Sequence, residues 1–316
     1  MRRQHDEKGN DLSGDKTELV MLVGVPGCGK SRAAKRYLEQ GYHVHSSDQI
    51  REELYGEESI QGKPSEVFDL LVKRVRTDLK SGIPCVIDAT NTVRKRRMSL
   101  LQSLSGKNLK KTCVLVLCSP ETCKKRDSGR ARVVSEEVIH RMLCRFEAPY
   151  YYEGWDRIRY LYNDERYTFP RAEAAMFSQD NPHHTLTLGA HMDAAREYCV
   201  TKGFSEEVQE AAWYHDIGKL YTKSFMNRRG MKTESAHFYD HENYGTYLYL
   251  CEKASQKPED DDWERVLYIA NLINWHMCYF KGWADSARAR ERDIQLMGEK
   301  MFRDLEQLHE ADRSAH

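Results

Sequence analysis

The stretch Gly24-Val25-Pro26-Gly27-Cys28-Gly29-Lys30-Ser31 decides the fold of the first half of this chain. It follows an apolar run at residues 19–23 that has the length of a strand, and it precedes a segment that predicts a helix ending near Leu38. The eight residues fit the pattern G-x-x-x-x-G-K-[ST], in which glycines let backbone N–H groups surround phosphate oxygens. The sequence therefore predicts a phosphate-binding loop between a strand and a helix.

This loop predicts binding of a nucleoside triphosphate, ATP or another NTP, together with Mg²⁺. Lys30 would neutralise the β- and γ-phosphates, Ser31 would hold Mg²⁺, and the remaining contacts would come from Gly24, Gly27, Cys28 and Gly29. Because Cys28 lies among anion-binding N–H groups, we also expect its thiol to ionise readily and to react with alkylating agents. The alternative is a glycine-rich turn that binds no nucleotide.

Strands and helices alternate along the first half of the chain. Further strands are predicted at residues 43–46, 85–87, 112–117 and 157–162, and helices between them include residues 65–80 and 94–104. This alternation is typical of an α/β domain with a parallel sheet and helices on both faces.

The second predicted strand ends in Ser46-Ser47-Asp48-Gln49-Ile50-Arg51, which resembles the Asp-x-x-Arg segment of the polynucleotide-kinase branch of P-loop phosphotransferases. The resemblance implies that Asp48 is the general base for the acceptor hydroxyl and that Arg51 contacts an acceptor phosphate. Phosphoryl transfer needs such a carboxylate and such a positive charge. The alternative role for Asp48 is that of an N-cap of the next helix.

Two more segments resemble the same kinases. Val86-Ile87-Asp88-Ala89-Thr90-Asn91, followed by four basic residues, is similar to their DATN segment, and Asp88 would support Mg²⁺ or the acceptor pocket. The basic run from Lys124 to Arg132 is similar to their lid. In that lid Arg126 and Arg130 would close over the triphosphate and stabilise the transferring charge, helped by Arg132. A solvated basic loop is the alternative.

The second half of the chain predicts helices and no strand. The helices are expected at residues 188–200, 206–215, 241–254, 262–276 and 286–311. Proline and asparagine near residues 169–182 break the pattern, which predicts a linker there. We therefore expect a disordered arm at residues 1–16, the kinase domain at 17–168, the linker at 169–182 and an all-α domain at 183–316.

Histidines and aspartates in the second half resemble the ligand set of the HD-domain metal phosphohydrolases, which are named for their His-Asp doublet. Here the doublet is His215-Asp216. The resemblance implies that Asp216 bridges two metals, that Lys219 contacts substrate phosphate, and that the full ligand set is His191, His215, Asp216, His241, His276 and Asp312. Such ligands suit one or two ions of Mn²⁺, Fe, Co²⁺, Ni²⁺ or Zn²⁺. A degenerate helical domain without metal is the alternative.

The composition of the chain is compatible with a soluble protein whose first half binds nucleotide and whose second half binds metal. Residues 1–170 carry 31 Lys and Arg against 24 Asp and Glu, and residues 171–316 carry 18 against 25, so the basic half is the one predicted to bind nucleotide. The nine cysteines include no C-x-x-C pair and predict reduced thiols in the cytoplasm. No apolar run is long enough to predict a membrane span.

A polynucleotide-kinase-like domain beside an HD domain resembles the bifunctional nucleic-acid end-healing enzymes. These enzymes phosphorylate 5′-hydroxyl ends and remove 2′, 3′ or 2′,3′-cyclic phosphates. For this chain the resemblance implies nucleic-acid ends as substrate, RNA rather than DNA, and a ligase that acts afterwards. Members of that group place the HD domain first, whereas in this chain it is second. Two alternatives stay open: a small-metabolite or nucleoside kinase fused to a nucleotide phosphohydrolase, and a nucleotide-sensing regulator without turnover.

Overall fold

The computed structural model describes residues 16–57, 60, 62–106, 108–129, 133–164, 167–182 and 185–315. The arm expected at residues 1–16 therefore lies, apart from Lys16, outside the described residues. Arg130 and Arg132 of the predicted lid also lie outside them.

A five-stranded parallel sheet forms the centre of the first half. Its order is β2-β3-β1-β4-β5, and its strands are β1 (Thr17–Val23), β2 (His43–Ser46), β3 (Cys85–Asp88), β4 (Leu109–Leu117) and β5 (Arg157–Tyr162). The central strand β1 is fully buried over Leu19–Val23 because it has a neighbour on each side and helices above and below. The predicted parallel α/β fold is confirmed.

Helices connect these strands, and they are α1 (Lys30–Glu39), α2 (Ser47–Tyr55), α3 (Pro64–Lys80), α4 (Arg94–Ser103), α5 (Pro120–Ser128) and α6 (Glu136–Leu143). The connection from β1 to β2 and the connection from β2 to β3 run in opposite directions along the sheet. Because such crossovers are right-handed, α1 and α3 lie on opposite faces. Because β1, β2 and β3 are parallel, their carboxyl ends meet at one edge of the sheet.

The second half is mainly helical. Its helices are α7 (Arg171–Met176), α8 (Leu188–Lys202), α9 (Glu206–Tyr214), α10 (Lys219–Thr222), α11 (His241–Ser255), α12 (Asp260–Trp275), α13 (Ala287–Met297) and α14 (Glu299–Ser314). The expectation of a single helix over residues 286–311 is wrong. Gly298, with φ of 83°, separates α13 from α14, because a residue in the left-handed region interrupts the helical path.

The expectation that the second half contains no strand is also wrong. An antiparallel hairpin joins β6 (Lys223–Met226) to β7 (Lys232–Phe238). Asn227 shapes its turn, since its backbone N–H donates to the carbonyl of Met231 over 2.9 Å. β6 has only four residues and β7 is mostly polar. The alternation of apolar and polar residues is therefore too weak to predict these strands from sequence.

The two halves pack directly against each other. Tyr247 of α11 donates to the Cys118 carbonyl at the end of β4 over 2.9 Å. Tyr152 donates to Asn271 of α12 over 2.7 Å, and the rings of Tyr160 and Trp263 lie 4.3 Å apart. Hydrogen bonds and ring packing therefore both join the two halves. Within the described residues, no helix has the length and apolar character needed to cross a membrane.

Candidate functional site

The phosphate-binding loop joins β1 to α1 at the carboxyl edge of the sheet. Gly27 and Gly29 have φ of 79° and 104°, which side-chain-bearing residues rarely adopt. A Cβ atom on Gly27 would also lie 2.2 Å from the carbonyl oxygen of Cys123 in α5. Close packing and backbone conformation thus both require glycine, and the loop ends where the N-terminus of α1 can attract anions.

Side chains around this loop hold it in place. Lys30 Nζ donates to the Val25 carbonyl over 3.0 Å, which positions the ammonium over the loop. Asn163, which follows β5, donates to the Cys28 carbonyl over 3.1 Å, and Arg126 donates to the Asn163 carbonyl over 2.6 Å. Arg126 is therefore linked to the loop through Asn163. The role of Asn163 was missed because its contact joins residues 135 positions apart.

The expectation of a reactive Cys28 needs correction. Its side chain is fully buried beneath the loop, and burial raises the pKa of the thiol despite the nearby Lys30. The loss of solvation therefore outweighs the attraction of the anion-binding loop. Cys28 fills space under the P-loop, and we expect it to react slowly.

The candidate acceptor residues lie at the same edge of the sheet. Asp88 ends β3, in register with Leu22 of β1 and Ser46 of β2. Ser46 is the N-cap of α2, because its hydroxyl accepts the N–H of Asp48 over 3.2 Å. Asp48 is therefore in the first turn rather than at the N-cap position, and its half-exposed carboxylate is paired with Arg51.

Six side chains from five helical segments converge in the second half. His191 Nε2 lies 3.1 Å from Asp312 Oδ1 and 3.2 Å from Asp216 Oδ2. His215 Nε2 lies 3.3 Å and 3.4 Å from the same two oxygens. These four donor atoms come from α8, α14 and the segment after α9, and their spacing is that of ligands around one cation.

The other carboxylate oxygen of Asp216 faces two further histidines. Asp216 Oδ1 lies 3.0 Å from His241 Nε2 and 3.7 Å from His276 Nε2. The two imidazole nitrogens are themselves 3.2 Å apart. Asp216 therefore lies between two groups of donors, as a carboxylate that bridges two cations would.

All four histidines are oriented by backbone carbonyls. Each Nδ1 lies 2.7 Å from a carbonyl oxygen, namely those of Ala315, Ala212, Phe238 and Ile273 for His191, His215, His241 and His276. Since Nδ1 must donate in these bonds, Nε2 of a neutral ring presents its lone pair to the centre. Four such lone pairs directed at one another and at carboxylates need a cation between them. The donor set therefore fits one or two divalent metals.

The electrostatics of the cluster agree with this fit. Burial opposes charge on His215, but Asp216 and Asp312 outweigh it and raise the pKa of His215 to about 10. Burial opposes the Asp216 carboxylate as well, yet Lys219 and His215 hold its pKa well below the usual range. The carboxylates therefore remain ionised in a buried site and attract positive charge strongly.

Lys219 lies at the rim of the same cluster. Its Nζ is 2.6 Å from Asp216 Oδ2 and donates to Gln179 over 2.9 Å. Asp312 is the most exposed of the ligands, with 18% of its side chain accessible, whereas the side chains of His191, His215 and Asp216 are at most 3% accessible. The role of Gln179 was not predicted, because it lies in the expected linker and carries no motif.

The family comparison bears on the first half of the chain. Residues 19–149 match the family model of an AAA domain, and no curated protein matches the chain. A chain of the "Pnkp1/Rnl/Hen1 RNA repair complex" is 18% identical with a TM-score of 0.39, over 42% of this chain and 44% of that one. This chain thus spans less than half of that relative's length.

Two shorter proteins also align. A "Fungal RNA Kinase" is 15% identical over 50% of this chain and 79% of its own, with a TM-score of 0.36. A gluconokinase from Sinorhizobium meliloti 1021 is 20% identical over 47% and 83%, with a TM-score of 0.33. At this level of similarity, none of these structures indicates an acceptor. The AAA-domain match, the parallel sheet and the phosphate-binding loop together make the first half of this chain a P-loop kinase-like α/β domain.

Proposed function

We propose that this protein heals nucleic-acid ends with two activities: an NTP-dependent 5′-hydroxyl polynucleotide kinase and a metal-dependent hydrolase of 2′, 3′ or 2′,3′-cyclic phosphates. The observation that carries the proposal is the convergence of six His and Asp ligands in the chain that also holds a P-loop. Both products, a 5′-phosphate and a 3′-hydroxyl, are what a ligase requires. The partner class is therefore a ligase that acts on the same RNA ends.

The kinase half supplies the groups for in-line phosphoryl transfer. Lys30 and Arg126 would neutralise charge on the β- and γ-phosphates, and Ser31 and Asp88 would hold the Mg²⁺ that accompanies the nucleotide. Asp48 accepts the proton of the 5′-hydroxyl as its oxygen attacks the γ-phosphorus. For this to occur, Arg51, which is paired with Asp48, first moves to the acceptor phosphate and leaves the carboxylate available.

In the hydrolase half, bound metal would supply hydroxide near neutral pH. The chain's own residues bind the phosphate ester and the metal. Lys219, which lies 2.6 Å from Asp216, is close enough to contact a phosphate oxygen at the centre. Asp216 and Asp312 would be ligands of the metal, and the proton that the metal-bound water loses would leave to solvent. The exposed side of Asp312 is where the substrate end enters.

The β6–β7 hairpin favours a polynucleotide over a small ester. It connects Lys219 to His241, and His241 is held to the Phe238 carbonyl at its base. Phe225, Met226 and Met231 are 45%, 45% and 53% exposed. The hairpin also carries Lys223, Arg228, Arg229 and Lys232 against one acid, Glu234, in a half that is acidic overall. Cations beside exposed apolar side chains suit a single strand leading to the centre.

The burial of the His and Asp cluster, in which the Asp312 side chain is 18% exposed and those of His191, His215 and Asp216 are at most 3% exposed, favours a second candidate, hydrolysis of free nucleotides. The decisive experiment gives the purified protein labelled ATP with 5′-hydroxyl RNA or DNA, and separately Mn²⁺, Ni²⁺ or Co²⁺ with RNA ending in a 3′-phosphate or 2′,3′-cyclic phosphate. We expect both end reactions on RNA. Hydrolysis of free nucleotides without action on RNA ends would support the second candidate, and a metal-free, inactive protein would refute the hydrolase.

The first mutational prediction concerns Asp48. Asp48→Ala should bind ATP normally yet transfer phosphate about a hundredfold more slowly, because the proton acceptor is lost. The measurement is single-turnover transfer from ATP to 5′-hydroxyl RNA, with ATP affinity determined separately. The matched control is Ser46→Ala, which removes the helix cap and should lower stability more than rate. Transfer near the wild-type rate in Asp48→Ala would assign Asp48 a structural role only.

A second prediction concerns the hairpin. Arg228→Glu with Arg229→Glu should weaken binding of a fluorescent RNA strand at least tenfold at low salt and reduce the salt dependence of binding. Hydrolysis of a cyclic mononucleotide should be unchanged, because it does not reach the hairpin. The control carries the same charge reversal at Arg288 and Arg303, which are exposed on α13 and α14. Equal loss in both variants would mean that only overall charge matters.

A further inference from the structure

A second group of metal-ligating side chains lies in the kinase half, away from the P-loop. His43 and His45 alternate along β2, the edge strand, so their side chains lie on the same face of the sheet. Cys85 of β3 is the register partner of His43. Asp78 reaches the same place from the last turn of α3.

The donor atoms of these residues converge. His43 Nδ1 lies 2.9 Å and His45 Nε2 lies 3.0 Å from the same oxygen of Asp78. The donor atoms of His45, Asp78 and Cys85 all lie within 4.8 Å of one another. His45 is 10% and Asp78 21% exposed at the side chain, and Cys85 is buried. One nitrogen, one oxygen and one sulfur, from His45, Asp78 and Cys85, are thus within reach of one point, and His43 adds a nitrogen 2.9 Å from the same oxygen of Asp78.

Two imidazole N–H groups donating to one carboxylate would explain His43 and His45 without a metal. The thiol of Cys85 takes no part in those hydrogen bonds. Its binding to a metal would therefore distinguish a metal site from a pair of hydrogen bonds. A set of two imidazoles, one carboxylate and one thiolate has the number and the softness of ligands that Zn²⁺ takes in closed tetrahedral sites.

We propose that His43, His45, Asp78 and Cys85 form a structural zinc site that fastens the edge strand β2 to α3. This site is independent of the His and Asp cluster in the second half, and it does not rest on the proposed hydrolase. β2 has one neighbouring strand only and leads directly to Ser46 and Asp48. A cation at its start therefore holds the strand that positions the candidate general base.

Binding requires the thiol to lose its proton. Burial, with a contribution from Asp78, raises the pKa of Cys85 to about 12, so at neutral pH the thiol is protonated. Zn²⁺ then replaces that proton, which leaves to solvent as the Zn–S bond forms. Each imidazole binds through the lone pair of the nitrogen that faces Asp78, and its N–H proton lies on the other ring nitrogen. No oxidant or reductant takes part.

Cobalt substitution tests the site through its sulfur. The full-length protein is stripped of metal with a chelator, kept reduced by a phosphine, and titrated with Co²⁺. A cysteine ligand produces a thiolate-to-cobalt charge-transfer band in the near ultraviolet, whereas the His and Asp cluster contains no cysteine and cannot. We expect this band in the wild type, its loss in Cys85→Ser, and its displacement by stoichiometric Zn²⁺.

Cys113→Ser is the matched control, because Cys113 is also a buried thiol of the same sheet, on β4, outside the cluster. It should keep the band. His43→Gln, at a half-exposed position, should keep the fold while weakening Co²⁺ binding at least tenfold. Absence of the band in folded wild-type protein, or a band that persists in Cys85→Ser, would overturn the proposal.

Discussion

Asp216→Ala is expected to abolish phosphate release and to remove metal from both halves of the candidate centre. Asp216 contributes Oδ2 to His191 and His215 and Oδ1 to His241 and His276. Loss of a single outer-shell partner of a metal ligand typically costs 10- to 100-fold in affinity or activity. Loss of a ligand shared by both positions should exceed that. Metal content per chain and phosphate release from RNA 3′-phosphate ends measure the effect.

Asp216→Asn separates chemistry from folding. Alanine at this position leaves the buried Lys219 without its carboxylate neighbour, which destabilises the protein. Asparagine keeps the volume and one oxygen but removes the negative charge, so metal affinity should still fall sharply. His237→Ala is the control, because His237 lies on β7 stacked on Tyr239 and outside the cluster. A fully active, metal-loaded Asp216→Asn protein would contradict the proposed centre.

Lys30→Ala is expected to reduce phosphoryl transfer by about 10²- to 10³-fold or more, because it removes the charge that the P-loop directs at the transferring phosphate. ATP binding should weaken as well. The measurement is transfer from labelled ATP to 5′-hydroxyl RNA together with nucleotide affinity. Lys35→Ala, an exposed lysine one turn further along α1, is the control and should be active.

The hydrolase should be unaffected by Lys30→Ala. The hydrogen bonds of Lys30 are to Val25 and Cys28 of its own loop. The contact between the halves runs instead through Tyr247, Tyr152 and their partners. Equal loss of both activities in a folded Lys30→Ala protein would show that the two sites are coupled.

Local sequence determined much of the first half. The apolar run before Gly24, the glycine spacing and Lys30 predicted the strand, the loop and the helix that the structure contains, because these features act within a few residues. The same reasoning singled out the six His and Asp residues that converge in the second half, since their resemblance to HD phosphohydrolases lies in short motifs. Prediction from sequence failed for the β6–β7 hairpin, whose strands are short or polar. It also failed for the break between α13 and α14, which lies at the single residue Gly298.

Only the tertiary structure decided what depends on distant parts of the chain. The pKa of the Cys28 thiol is raised because the fold buries it, and the effect of burial outweighs that of the loop that surrounds it. Asn163 and Gln179 reach their partners, Cys28 and Lys219, across 135 and 40 positions. His43, His45, Asp78 and Cys85 are unremarkable in sequence and become a cluster only when β2, β3 and α3 pack. Sequence motifs record chemistry carried by neighbouring residues, whereas burial and convergence are properties of the packed chain.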